Sequence, residues 1–166
     1  MDFTHTICRI LHDEHHATIE LLDGLEDLLA RGRRGVPDLD SPAPRKVLGD
    51  LAAMTEQELK RHFAFEEQQL FTRLSDAGDG AIGEHLTDEH QTILPVAQRL
   101  GEMASEALEN GMGELQWEEF RSLGAELIER MQAHIQKEEM ALLPMLEETL
   151  EPEDDLALAE AYGGQG

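Results

Sequence analysis

Histidine and glutamate occupy positions of this sequence where helical spacing would place leucine. His134 and Glu138 fall between Met131 and Leu142, and His62 and Glu66 interrupt the run from Met54 to Leu74 in the same way. His15 lies between Leu11 and Ile19, and His90 between Leu86 and Leu94. A polar group on the buried stripe of a helix needs a partner inside the core, so the chain must adopt a fold that brings these residues together.

The surrounding periodicity is helical almost throughout. Thr4 to about Ala30 carries Leu11, Ile19, Leu22, Leu25 and Leu29 at three- and four-residue spacing, and Gly32 to Gly35 end it. Val36 to Pro44 reads as a linker, with Ser41 as N-cap and Pro42 in the first turn of a second helix. That helix runs to about Leu74 through Val47, Leu51, Met54, Phe63 and Leu70. After a turn at Asp76 to Gly80, a third carries Leu86, Ile93, Leu94, Ala97, Leu100, Ala104 and Leu108. Asn110 to Gly113 break it, and a fourth carries Phe120, Leu123, Leu127, Met131, Ile135, Leu142 and Met145 to about Leu150. With aromatics at 4% and no sustained alternation, strand signals are scarce.

Four long helices on short connections predict an all-α, up-down-up-down antiparallel bundle over residues 1–150. Trp117 and Phe120 read as core at one end of it. Pro95 and Pro144 should bend the third and fourth helices. Residues 151–166 read as an acidic tail with at most one loosely held turn around Leu156 to Ala161, and Tyr162 within it as no ligand.

Charge narrows the function. The 36 Asp plus Glu against 13 Lys plus Arg leave a net charge of -23, which repels phosphate backbones and anionic lipid and argues against nucleic-acid or membrane partners. Apolar residues at 40% with this periodicity argue against disorder. Cys8 is the only cysteine, which rules out an intramolecular disulfide and a four-cysteine metal site and leaves it as a small buried hydrophobe. Met1 to Ile10 lack a signal-peptide pattern, and no apolar run approaches the roughly 18 residues of a spanning helix, so a cytoplasmic location is expected.

Internal repetition selects among the histidines. A glutamate follows a histidine by four residues at His16–Glu20, His62–Glu66, His85–Glu89 and His134–Glu138, where eight histidines and 24 glutamates predict roughly one such pair by chance. Leu11-His12-Asp13-Glu14-His15 is echoed 75 residues later by Leu86-Thr87-Asp88-Glu89-His90. His62, Glu66, Glu67, Leu70 and Leu74 recur 72 residues later as His134, Glu138, Glu139, Leu142 and Leu146. The chain thus reads as two copies of one helical hairpin. His16–Glu20 and His85–Glu89 have no counterpart and read as solvated-face pairs. Counted from the helix ends at about 1.5 Å per residue, His15, His62, His90 and His134 reach nearly one level of an antiparallel bundle.

Four imidazoles and two carboxylates would be costly to bury without partners, and a dinuclear metal centre removes that cost. Nitrogen and oxygen donors without thiolate suit iron, manganese or zinc. The Glu-x-x-His signature of ferritin-like bundles is absent, since no histidine has a glutamate three residues before it.

In this ordered set of motifs the sequence resembles the hemerythrin-like, or HHE cation-binding, domains over about residues 5–150. The resemblance implies a four-helix bundle around an oxo- or hydroxo-bridged pair of iron ions, with manganese or zinc as alternatives in purified protein. His15, His62, His90 and His134 would then be terminal ligands, and Glu66 and Glu138 would bridge the metals. The oxygen carriers of the family place a fifth histidine where this sequence has Leu86, which leaves a position open on both metals. His12, one turn before His15, is a candidate replacement nitrogen.

The set of four histidines and two glutamates is similar to that of the di-iron proteins for repair of iron centres. In those, carboxylates matching Glu58 and Glu89 are implicated in a channel. The expected function is binding or reduction of a small oxidant, nitric oxide, peroxide or oxygen, in a stress response. The alternatives are an oxygen or iron sensor signalling to a protein partner, and a metal-free structural bundle.

Overall fold

The computed structural model describes residues 2–164, and every regular element among them is helical. Helix α1 spans Thr6–Arg31. The second rod is assembled from α2 (Pro42–Ala53), α3 (Leu59–Phe65) and α4 (Phe71–Asp76), joined in line by π-helical turns at Met54–Glu58 and Glu66–Leu70. Helix α5 spans Gly80–Asn110. The fourth rod joins α6 (Glu114–Lys137) to α7 (Leu143–Thr149) through a π turn at Glu138–Leu142, and α8 follows at Pro152–Gly164. Helix α2 packs on α5, α5 on α6, and α1 on both α6 and α2, so the expected all-α four-rod bundle is what forms. No helix among the described residues is long and apolar enough to cross a membrane.

Local chemistry sets the rod ends. The indole of Trp117 occupies the space a Cβ on Gly32 would need, and its Nε1 donates to Gly32 O at 2.8 Å, fixing the end of α1 against the start of α6. Trp117 stacks on Phe120 in the core, as expected. Ser41 does precede Pro42 at the start of α2, but its hydroxyl turns back to Asp38 Oδ2 at 3.0 Å and caps nothing. Helix α5 runs without interruption through Pro95. Pro144 is the second residue after the π turn: Leu143 N–H bonds Glu138 O, and the next residue has no N–H to place as the α register resumes.

The buried apolar residues divide into two clusters. One contains Leu22, Leu25, Leu51, Phe63, Ile93, Leu100, Trp117, Phe120, Leu127 and Ile135. The other contains Phe3, Ile7, Leu11, Phe65, Leu70, Leu86, Leu142 and Leu146, together with Leu158 and Tyr162 of α8. Cys8 belongs to the second cluster, where burial, the first cause, and neighbouring carboxylates push its thiol up to about 12.

The expectation of a loose tail is corrected by α8, which is a helix packed on α1. Asp155 accepts the N–H groups of Thr6 and Ile7, both at 2.8 Å, and Glu147 accepts that of His5 at 2.8 Å. His5 caps α1 without a side-chain hydrogen bond, so the open N–H groups of α1 are satisfied from the far end of the chain. Those bonds and the burial of Leu158 and Tyr162 hold the segment in place. The signals were present in Pro152 and an acidic first turn of Glu153, Asp154 and Asp155, but the apolar pattern was too short to weigh.

Candidate metal centre

Between the two apolar clusters lies a layer of buried polar side chains: His15 from α1, His62 from α3, His90 from α5, His134 from α6, and Glu66 and Glu138, each the first residue of a π turn. The π geometry closes the next bond five residues on, from Phe71 N–H to Glu66 O and from Leu143 N–H to Glu138 O. The extra residue lets Glu66 face inward while both Leu70 and Phe71 remain buried, and Glu138 likewise with Leu142 and Leu143.

All four imidazoles turn Nε2 toward the two glutamates. Nε2 of His134 lies 2.6 Å from Glu138 Oε1, and that of His15 2.7 Å from Glu138 Oε2. His62 Nε2 is 3.5 Å from Glu66 Oε1 and 3.7 Å from Glu138 Oε2; His90 Nε2 is 3.3 Å from Glu66 Oε1 and 4.0 Å from Glu138 Oε1. The donor atoms form two groups, each compact enough to hold one ion: Glu66, His90, His134 and Glu138, and His15, His62 and Glu138. Glu138 is common to both.

On the outward side, each imidazole donates Nδ1–H to a further carboxylate. Glu14 of α1 accepts from His62 at 2.9 Å, Glu67 from His90 at 2.9 Å, Glu89 from His134 at 2.9 Å and Glu139 from His15 at 2.7 Å. Each acceptor adjoins in sequence an inner group of its own rod: Glu14 with His15, Glu67 with Glu66, Glu89 with His90, Glu139 with Glu138. Adjacent residues diverge by about 100° around a helix, so while one points inward the other reaches the neighbouring rod. The four contacts run from α1 to α3, on to α5, to α6 and back to α1. The ring is closed and follows the two-fold repeat.

These outer bonds fix the tautomers. With hydrogen on Nδ1, a neutral imidazole presents a lone pair at Nε2, and lone pairs facing carboxylate oxygens repel unless a cation stands between them. Both oxygens of Glu66, Glu138 Oε1, His90 Nε2 and His134 Nε2 are buried without a hydrogen-bond partner. In the metal-free protein, protons take the cation's place. Burial opposes charge on His15, but hydrogen bonds to Glu138 and Glu139 outweigh it and raise its pKa to about 9. On His90 burial is likewise outweighed, by the nearby carboxylates of Glu138 and Glu66 and the bond to Glu67, which raise its pKa also to about 9. His62 is raised well above its ordinary value, against burial, by the charge of Glu66 and its carboxylate bonds. Burial would push Glu138 up, yet the surrounding histidines hold it well below the usual carboxylate range. Nitrogen and oxygen donors so arranged fit a borderline transition metal.

The ring of Phe63 stacks on that of His90 at 3.7 Å and 8°, which removes rotational freedom from this imidazole. A cleft of about 560 Å³ reaches His15, His62, His134 and Glu138 past apolar walls of Met54, Leu59, Met131 and Ile135. Exposed Glu58 lines it. Glu89 does not; it bonds His134 and Lys137 on the other side of the bundle. His12 lies outside the donor groups, with Nδ1 on Glu139 and Nε2 against His16. His16 and His85 are exposed, as expected of solvated-face pairs, but Glu89 of the second pair is half-buried because it holds His134; Leu86 is buried in the second apolar cluster.

Sequence reasoning did not assign Glu14, Glu67 and Glu139, although the repeat marked them: Glu14 matches Glu89, and Glu67 matches Glu139. It also missed Tyr162, whose hydroxyl donates to Glu14 Oε2, the oxygen that holds His62. Arg61 lies over the Tyr162 ring at 4.9 Å.

Comparison with known proteins agrees with this geometry. No curated protein matches the sequence closely enough to count as a relative. The model of the hemerythrin HHE cation-binding domain matches residues 6–153, which span all four rods and every member of the cluster. The chain belongs to the hemerythrin HHE cation-binding family.

Proposed function

We propose that this protein holds two iron ions in the polar layer and uses them to bind or reduce a small oxidant, nitric oxide, peroxide or oxygen, in a stress response. The observation that carries the reading is the set of orphaned inner atoms on Glu66, Glu138, His90 and His134, which face one another with no proton donor among them while the imidazoles are neutral and their Nδ1–H groups are directed to the outer carboxylates. His15 and His62 would hold one ion, His90 and His134 the other, with Glu138 shared and Glu66 beside it. Bound iron would supply one-electron chemistry toward the oxidant.

The chain's own residues do the rest. The outer carboxylates keep each imidazole in its ligating tautomer and raise its basicity. The apolar clusters bound the layer on either side. The cleft walls of Met54, Leu59, Met131 and Ile135 favour entry of a small uncharged molecule, and the net charge of -23 slows anions. Leu86, apolar and buried where the oxygen carriers of the family place a histidine, offers no further nitrogen.

A second reading, sensing of oxygen or iron with a signal to a protein partner, is favoured by the contact of Tyr162 with Glu14, which ties α8 to one side of the cluster. Metal analysis of protein grown with iron should find close to two irons per chain, and metal-free protein of unchanged stability would defeat both readings. Rapid mixing of reduced protein with nitric oxide or peroxide then separates them. Turnover supports reduction; a stable adduct with altered protease cleavage of α8 supports sensing.

A further inference from the structure

His12 and His16 stand one turn apart on α1, with their Nε2 atoms 3.1 Å from each other and their rings edge to face at 4.5 Å and 82°. His16 is exposed and His12 is half-buried, its ring fixed by the edge of Phe3 at 5.4 Å. His12 Nδ1 donates to Glu139 Oε2 at 2.8 Å. In the neutral ring this leaves a lone pair on His12 Nε2, directed at His16 Nε2. The space between the two nitrogens therefore belongs either to a hydrogen carried by His16 or to a cation.

We propose that His12 and His16 form an exposed site for one borderline divalent transition ion, such as nickel, zinc or cobalt, distinct from the core cluster and connected to it only through Glu139. Two imidazoles at this helical spacing face the same point, and imidazole is the donor these ions select over the oxygen ligands preferred by magnesium or calcium. Glu139 stands behind His12 as a metal-ligating histidine requires, fixing its tautomer and raising its basicity. The remaining coordination positions are open to water, so the ion exchanges readily.

The two-fold core does not demand this pair. The matching positions in the second hairpin are Thr87 and Gln91, and Glu67 there is bonded to His90 alone among the histidines. The pair nevertheless touches the core, because the second oxygen of Glu139 holds His15 at 2.7 Å. An ion outside thus steadies the carboxylate that orients an inner histidine. The acidic surface raises the local concentration of any divalent ion near it.

The test is calorimetric titration of the metal-loaded protein with nickel in excess magnesium, which occupies surface carboxylates without competing for imidazole. Wild type should take up one nickel equivalent with the core metal content unchanged. His16→Gln, at an exposed position that leaves the fold intact by circular dichroism, should lose it. His134→Ala, which damages the core, should keep it, and nitrogen-15 spectra should show the His12 and His16 Nε2 resonances moving on nickel addition. No additional equivalent in wild type, or an equivalent of unchanged affinity in His16→Gln, overturns the proposal. Loss in His134→Ala with retention in His16→Gln overturns it as well and assigns the nickel to the core.

Discussion

The carboxylate of Glu14 crosses from α1 to meet His62 Nδ1 at 2.9 Å, on the side of the ring facing away from the cluster. Neither residue satisfies its own neighbour: Glu14 serves a histidine of another rod, while His15 beside it is held by Glu139. Replacing Glu14 with alanine should leave the helical content intact and weaken retention of metal roughly 10- to 100-fold, by analogy with other carboxylates behind metal-bound histidines. Competition with a chelator measures it. Tyr162→Phe should give a smaller loss in the same direction, since Glu14 keeps its charge.

Glu138 and Glu66 should not behave alike. Glu138 belongs to both donor groups and touches all four imidazoles, whereas Glu66 belongs to one. Glu138→Ala should therefore empty both positions, and Glu66→Ala should spare the His15, His62 and Glu138 group. Metal per chain distinguishes the outcomes: close to none for the first variant, about one for the second. Equal losses in both would reject the asymmetry.

Much of this centre was legible in the sequence. The spacing of His62 to Glu66 and of His134 to Glu138, matched by the repeat, identified the inner pairs, and counting residues from the helix ends put the four histidines on one level. The π turns were not legible, because one inserted residue changes the hydrogen-bond register without changing which residue types favour a helix. Glu14, Glu67 and Glu139 were repeated yet lay among 36 acidic residues, and charge alone does not show which carboxylate reaches a histidine of the neighbouring rod. Helix α8 escaped because its order depends on Asp155 meeting the N–H groups of Thr6 and Ile7, a contact between sequence positions 148 and 149 residues apart.

The metal-free bundle should lose stability as pH rises. His15 and His90 have folded-state pKa values raised to about 9. Each contributes stability that is fully present below its unfolded value near 6.5 and disappears as pH passes about 9. Urea unfolding of metal-free protein at pH 6, 7.5 and 9 should therefore show midpoints falling in that order. Metal-loaded protein should show the opposite trend for metal retention across the same interval, because ions compete with those protons.

Asp155→Ala should destabilise the protein by about 1 kcal/mol through loss of the cap on α1. The readout is the thermal midpoint, together with faster proteolysis of α8. Unchanged proteolysis would mean that Leu158 and Tyr162 hold the helix without it.

Gly101 lies against the π turn Met54–Glu58, where a Cβ would collide with Thr55 Oγ1. That hydroxyl is itself committed to Leu51 O at 3.0 Å. Gly101→Ala should cost about 1–3 kcal/mol from overpacking, and adding Thr55→Ala should recover part of it. Chemical denaturation of the two variants tests the pairing.

Two links of the outer ring stay within a hairpin, Glu14 with His62 and Glu89 with His134; the other two, Glu67 with His90 and Glu139 with His15, pass between hairpins. Neither half can orient all of its own histidines, and nothing in the ring depends on the turn that joins the halves at Ala77–Asp79. A half-length chain able to pair with a copy of itself could close the same circuit from two identical subunits. In this protein α8 ends that equivalence: it places a tyrosine behind Glu14 where Glu89 has a lysine, and so gives a symmetric framework two chemically different sides.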